Sequence, residues 1–294
     1  MGGAARPAAG AAADGRAPFR TLGIVGVGLI GGSLAAAVRS RWPEARIVGV
    51  DRPVVLADAQ ARGWIHESRS SASSLADADL VVLAAPIPQI VEAVIELRSA
   101  GGAVTDVGST KRRILRTAAH VGLRGFVGGH PMAGAEGRGL AGARADLFEG
   151  RPWFVVPGEG APAGVVARVE ALAAGVGAVA CRVEAETHDR VMAYVSHLPQ
   201  LLAVALMNVA AGGAGPEGLA MAGRAFGEMT RLAASPAGMW QGILASNDDY
   251  IAEALEGLRR ELDALGVERP GSGQLAETFD RAAAFHRRLP KGAP

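Results

Sequence analysis

Cysteine is almost absent: Cys181 stands alone in 294 residues, so the chain forms no internal disulfide and has no cysteine-rich metal site. That usage suits a reducing compartment, and a cytoplasmic location is expected, with no bound metal. A strong net charge is missing too. The 30 basic side chains face 29 acidic ones, a formal charge of +1, which leaves no global field to recruit nucleic acid or an anionic membrane surface. The expected partner is therefore a small molecule. Lysine is confined to Lys111 and Lys291, which excludes any mechanism needing a lysine elsewhere. Met1 to Pro18 hold mostly Ala, Gly, Pro and Arg without a continuous apolar run, so they lack the core of a secretory signal and read as a disordered tail, residues 1–18.

What is present is a regular alternation. Short apolar runs at Leu22–Val25, Arg46–Val50, Asp79–Ala84 and Ala103–Thr105 are bounded by Gly, Pro or Asp and separated by stretches of helical length. This is the pattern of βαβ units with a parallel sheet covered on both faces. Phe126–Val127 and Trp153–Val156 read as further strands of the same sheet. After Pro157 the character changes to a helix at Ala163–Ala174, a strand near Val179–Val183 and then mostly helix to Arg288, and no fused regulatory domain is expected. The expected division is 19–157 and 158–294. Val191 to Gly215 contains no Asp, Glu, Lys or Arg. Its length permits a membrane span, but His197, Pro199, Gln200 and Asn208 interrupt it; a helix apolar all round must be covered by its own domain or by a second subunit.

The turn Gly26-Val27-Gly28-Leu29-Ile30-Gly31 follows the first strand and opens the first helix. The first glycine permits the tight turn, the second lets backbone approach a pyrophosphate, and the third lets helix and strand pack closely, while the helix N-terminus offers unpaired N–H groups. Asp51 ends the second strand, where a carboxylate accepts the ribose hydroxyls of NAD and repels a 2′-phosphate. Arg52 beside it softens that preference. Cofactor contacts are assigned to Gly26, Gly28, Leu29, Ile30, Gly31, Asp51, Arg52, Ala85 and Pro86. The fold class is thus an α/β Rossmann-type dinucleotide-binding domain followed by an all-helical domain.

Ligands of such sheets sit beyond the carboxyl ends of the strands. There Asp106-Val107-Gly108-Ser109-Thr110-Lys111 offers two hydroxyls and an ammonium, read either as substrate contacts or as a helix cap with a solvated lysine. His130, between Gly128-Gly129 and Pro131, suits a general base, with a hydrogen-bonded structural histidine as the alternative. The helical half adds His188-Asp189, which could simply begin a helix, then His197 and Gln200. Arg231 is a guanidinium in an otherwise apolar setting; it requires a carboxylate, either Glu228 or an anionic substrate.

Taken together, Gly26 to Leu34, Asp106 to Lys111, Gly129-His130-Pro131-Met132-Ala133-Gly134, Ser196-His197-Leu198-Pro199, and Arg231 with Ser235-Pro236 and Trp240 resemble the prephenate/arogenate dehydrogenase family of tyrosine biosynthesis, over about Phe19 to Arg288. The resemblance implies NAD-dependent oxidative decarboxylation of a cyclohexadienyl substrate by a homodimer joined through its helical domains. It implies that His130 accepts the hydroxyl proton, that Ser109 orients His130 and the hydroxyl, and that Arg231 grips a carboxylate, with Glu136, Glu228, His197, Gln200 and Trp240 around the substrate. Many relatives carry histidine where this chain has Gln200, a neutral amide that cannot present positive charge to a carboxylate. Prephenate, arogenate and, behind them, 4-amino-4-deoxyprephenate therefore remain open as substrates. A β-hydroxyacid dehydrogenase would need a lysine within the helical domain, and after Lys111 the chain has only Lys291, in the tail; a catalytically silent NAD sensor would not need Ser109, His130 and Arg231 together.

Overall fold

The computed structural model describes residues 6–7, 16–134, 137–265 and 274–289. Among these residues nine strands form one sheet: β1 (Arg6–Pro7), β2 (Thr21–Val25), β3 (Arg46–Val50), β4 (Glu67–Arg69), β5 (Leu80–Leu83), β6 (Ala103–Asp106), β7 (Phe126–Pro131), β8 (Pro152–Pro157) and β9 (Val179–Arg182), in the order β1-β9-β8-β7-β6-β5-β2-β3-β4. From β4 across to β7 all neighbours run parallel; β8 turns antiparallel against β7, and β9 is parallel to β8. Most of the expected tail lies outside the described residues, but Arg6–Pro7 pairs antiparallel with β9.

The helices of the first half are α1 (Leu29–Arg41), α2 (Pro53–Ala61), α3 (Ile87–Glu96), α4 (Arg112–His120), α5 (Ala163–Gly175) and α6 (Ala185–Met192). Strand β5 shows why its sequence is continuously apolar. Leu80 and Val82 enter the core that contains Leu34 and Val38 of α1 and Val169 of α5, whereas Val81 and Leu83 enter the core that contains Ile90 of α3 and Ile114 of α4. Side chains alternate across a strand, so a sheet with helices on both faces must be apolar at every position. Strand order reverses between β3 and β5 around β2, which places the crevice for a ligand outside the carboxyl ends of β2 and β5.

The chain divides into two compact units, Met1–Met192 with Ser235–Asn247, and Ala193–Ala234 with Asp248–Pro294. The first unit extends past residue 157, where the sequence places a boundary, because β9 pairs with β8 and completes the sheet. It also recovers a helix from far along the chain. On α9 (Ala237–Ser246), Ile243 is buried in the core of α3 and α4, Trp240 packs against that core, and Gly242 lies flat on Pro88, where an added Cβ would come within 3.0 Å of the ring.

The second unit is helical: α7 (Leu198–Leu219), α8 (Arg224–Thr230), a 3-10 turn at Arg231–Ala234, α10 (Asp248–Ala264) and α11 (Gln274–His286). Ahead of α7, Ala193–His197 form a π-turn. Pro199 cannot donate an N–H to the carbonyl four residues back, and the wider turn accommodates that gap. Ala185 to Leu219 reads as one long helix whose most apolar window has mean hydropathy 1.4, only 11% of it buried within the chain.

Candidate active site

Two of the three turn glycines are demanded by the chain's own backbone. Gly26 has φ +87, and a Cβ there would sit 2.5 Å from the Ala84 carbonyl oxygen; at Gly31 it would sit 1.9 Å from the Gly26 carbonyl oxygen. Gly28 differs, since a Cβ there meets nothing within 4 Å. It is the N-cap of α1 and no side chain caps that end. The bare backbone at Gly28 therefore leaves room for a ligand, and the uncapped N-terminus fits the pyrophosphate of a dinucleotide. Leu29 and Ile30 turn inward and pack against the core.

Asp51 stands at the end of β3, where its carboxylate accepts the Val27 N–H at 2.7 Å and the Arg52 N–H at 2.6 Å. These bonds fix the acid beside the glycine turn. The Arg52 side chain is 80% exposed, with Nε 3.9 Å from Asp51. Ala85 and Pro86 follow β5, and Pro86 is the N-cap of α3.

Lys111 is neither solvated nor at a mouth. It is fully buried, ion-paired with Asp106, and donates to the Gly129 carbonyl at 2.6 Å. The neighbouring glycines make this possible: a Cβ at Gly128 would lie 3.1 Å from the lysine stem, and one at Gly129 would lie 2.4 Å from the Asp106 carbonyl. Asp106 also accepts the Gly108 N–H at 2.8 Å and the Gly129 N–H at 3.1 Å. Burial pushes the Asp106 carboxyl up and the Lys111 ammonium down, each opposed by its partner. The pair thus ties the end of β6 to β7 directly beneath His130.

His130, 9% exposed, is held through Nδ1 by His188 Nε2 at 2.9 Å, and His188 Nδ1 meets Asp189 Oδ1 at 2.8 Å. Phe154 flanks both rings. Asp189 is fully buried and caps α4 from a distance, accepting the Lys111 N–H at 2.7 Å and the Arg112 N–H at 2.9 Å. Burial pushes its pKa up, toward the neutral form, but the bonds from His188, Arg112 and Lys111 outweigh this and hold the carboxyl below its ordinary range. His188 is lowered, by burial first and by the Lys111 charge, against the pull of Asp189. Asn247 closes the cluster, donating to the Asp189 carbonyl at 2.8 Å and accepting from Arg112 at 2.9 Å.

Ser109 lies half-buried in the β6–α4 loop. It does not cap α4, whose N-cap is Lys111, and Thr110 is bonded to Ser246 of α9 at 2.8 Å. Trp240 also belongs to the first unit. His197, Gln200, Glu228 and Arg231 belong to the second. There Gln200, buried, donates to the Leu232 carbonyl at 2.8 Å and so braces the turn that starts at Arg231. Glu228 pairs with Arg224 at 2.7 Å, and among the described residues no carboxylate pairs with the exposed Arg231. Glu136 lies outside the described residues.

Sequence reasoning named Asp106 only as the head of its run without giving the carboxylate a role, noted His188-Asp189 with a helix start as the alternative, and missed Asn247. The adjacency of a histidine and an aspartate was a usable signal; nothing around Asn247 marks it.

The chain matches two family models in succession, "Prephenate dehydrogenase, nucleotide-binding domain" over residues 34–182 and "Prephenate dehydrogenase, dimerization domain" over residues 184–280. A prephenate dehydrogenase of Bacillus subtilis (strain 168) is 32% identical over 288 residues, 93% of this chain and 78% of the relative. The crystal structure of prephenate dehydrogenase from A. aeolicus, in complex with hydroxyphenyl propionate and NAD+, aligns with a TM-score of 0.85 at 29% identity, covering 92% of this chain and 98% of that one. Synechocystis arogenate dehydrogenase aligns with a TM-score of 0.78 at 26% identity, over 91% and 99% of the two chains.

Proposed function

The chain belongs to the prephenate dehydrogenase family, and from that premise we propose that it carries out the NAD-dependent oxidative decarboxylation of prephenate or arogenate in tyrosine biosynthesis. The observation that carries the reading is His130: a near-buried imidazole at the carboxyl end of β7, in the same unit as the glycine turn, with one ring nitrogen already committed to His188.

In this reading Gly26, Gly28, Leu29, Ile30 and Gly31 hold the pyrophosphate and Asp51 the ribose, with Arg52, Ala85 and Pro86 at the edges of the cofactor. Bound NAD supplies the electron sink, taking hydride from the ring carbon that bears the hydroxyl. His130 accepts the hydroxyl proton at Nε2 as that carbon becomes carbonyl-like. When the ring carboxylate has left as CO2, His130 returns the proton to the phenolate oxygen, so no net proton is released. Such base catalysis contributes about 10²- to 10⁴-fold. Ser109 orients the hydroxyl. Arg231 grips a carboxylate; an exposed guanidinium, with Glu228 engaged by Arg224, supports that role. Gln200 acts through the Arg231 turn, and His197, Glu136, Glu228 and Trp240 shape the surroundings of the substrate. The sparsely buried Ala185–Leu219 helix is covered by a second copy of the chain, in keeping with the matched dimerization domain, and the enzyme works in the cytoplasm.

The test supplies prephenate, arogenate and 4-amino-4-deoxyprephenate in turn with NAD, following NADH absorbance and identifying the product. NADH with 4-hydroxyphenylpyruvate or tyrosine is the expected outcome. Turnover of the amino analogue alone moves the substrate, and NAD binding without turnover of any of the three makes the chain a sensor.

A further inference from the structure

With His188 neutral, the form its burial favours, the two hydrogen bonds of the buried row His130–His188–Asp189 allow one arrangement of protons. Asp189, charged and holding two backbone N–H groups, can only accept from His188. His188 therefore carries its proton on Nδ1, and its Nε2 faces His130 as an acceptor. His130 must then donate from Nδ1, which puts its basic lone pair on Nε2, on the side of the ring away from His188. From these contacts we propose that His188, fixed by Asp189, is a positioning residue that sets the tautomer of His130 and supports the imidazolium formed when His130 takes the substrate proton. The proposal rests on the reading of His130 as the general base.

The surroundings suit this task. His188 is 2% exposed and Asp189 is fully buried, so water does not compete for the hydrogen bonds. Among the described residues, Lys111 with Asp106 and Arg112 with Asn247 are charged and polar groups beside the row, and each is engaged with a partner. Phe154 packs edge-on to the His188 ring and limits its rotation, with centroids 5.6 Å apart at 80°. A helix start would need none of this: Asp189 could cap α4 without a histidine between it and His130.

Nitrogen-15 NMR of the histidine-labelled full chain reads the tautomer without any reaction. A proton on His130 Nδ1 and a bare Nε2 are expected; a proton on Nε2 overturns the proposal. Kinetics give a second, independent reading. His188→Leu should lower kcat about 10- to 100-fold while the KM for NAD and for substrate stay within about twofold, a deficit no larger than the lower end of the general-base range because His130 itself is kept. His188→Gln, which can accept from His130 and donate to Asp189, should recover at least half of that loss on a logarithmic scale. Asp189→Asn turns an acceptor into a donor, reverses both histidines and should cost up to about 10⁴-fold in kcat, the scale seen when a catalytic histidine is held in the wrong tautomer. Wild-type kcat in His188→Leu, alongside a crippled His130→Asn, overturns the proposal alone. Full activity in His130→Asn instead overturns the reading on which it rests.

Discussion

Replacing Lys111 with methionine removes one charge of a pair that has no solvent contact. Both side chains are fully buried, and the ammonium also holds the Gly129 carbonyl next to His130. Lys111→Met keeps the stem's volume but leaves Asp106 with only the N–H groups of Gly108 and Gly129. Breaking one half of a buried pair costs about 3–5 kcal/mol. At roughly 2–4 °C per kcal/mol for domains of this size, the melting temperature should fall by about 6–20 °C. The loss has a characteristic pH dependence. Without the ammonium, burial raises the Asp106 carboxyl further above its unfolded value, so the folded state binds the extra proton and stability is lost as pH rises through that raised value. Urea unfolding of wild type and variant at about pH 5 and about pH 8 should therefore show a smaller deficit at the lower pH. Adding Asp106→Asn should restore at least half of the loss, because a neutral amide oxygen still accepts one backbone N–H. A deficit below about 1 kcal/mol, or one that does not change with pH, would refute the reasoning, since a surface pair behaves that way.

Gly28→Ala should leave the melting temperature unchanged and weaken NAD binding at least about tenfold by calorimetry, because its Cβ meets no protein atom but enters the space of the pyrophosphate. Gly31→Ala drives its Cβ into backbone and should cost stability as well, about 1–3 kcal/mol; equal effects of the two on stability would contradict the division of roles. Asp51→Ser should raise the NADP/NAD ratio of kcat/KM at least about tenfold, and an unchanged ratio would remove Asp51 from ribose recognition. His188, held below its ordinary value by burial, contributes stability that is complete above its unfolded pKa of about 6.5 and is lost as pH falls toward its folded value. Chemical denaturation from about pH 7.5 to about pH 5.5 should show a shallower slope in His188→Gln than in wild type.

The sheet was legible because burial on both faces writes itself as unbroken apolar runs such as Leu80–Leu83, and the cofactor turn because its glycines answer backbone geometry. Less visible was anything set by partners distant in sequence. Strand β4 has three residues, too few for a period to appear. Helix α9 looks like part of the helical half, and only its packing on α3 assigns it to the first unit. Lys111 reads from sequence as either a substrate contact or a solvated side chain, because the glycines that make room for it, Gly128 and Gly129, lie on another strand. Likewise the partner of His130 stands 58 positions away on α6, a spacing that no local motif encodes.

The central claim is that His130 moves the proton while the glycine turn holds the oxidant, and the most direct measurement separates the two in one variant. For His130→Asn, NAD affinity by fluorescence titration should equal that of wild type, while kcat for NADH formation from the preferred substrate should fall about 10²- to 10⁴-fold. An unchanged kcat in that variant would contradict the account.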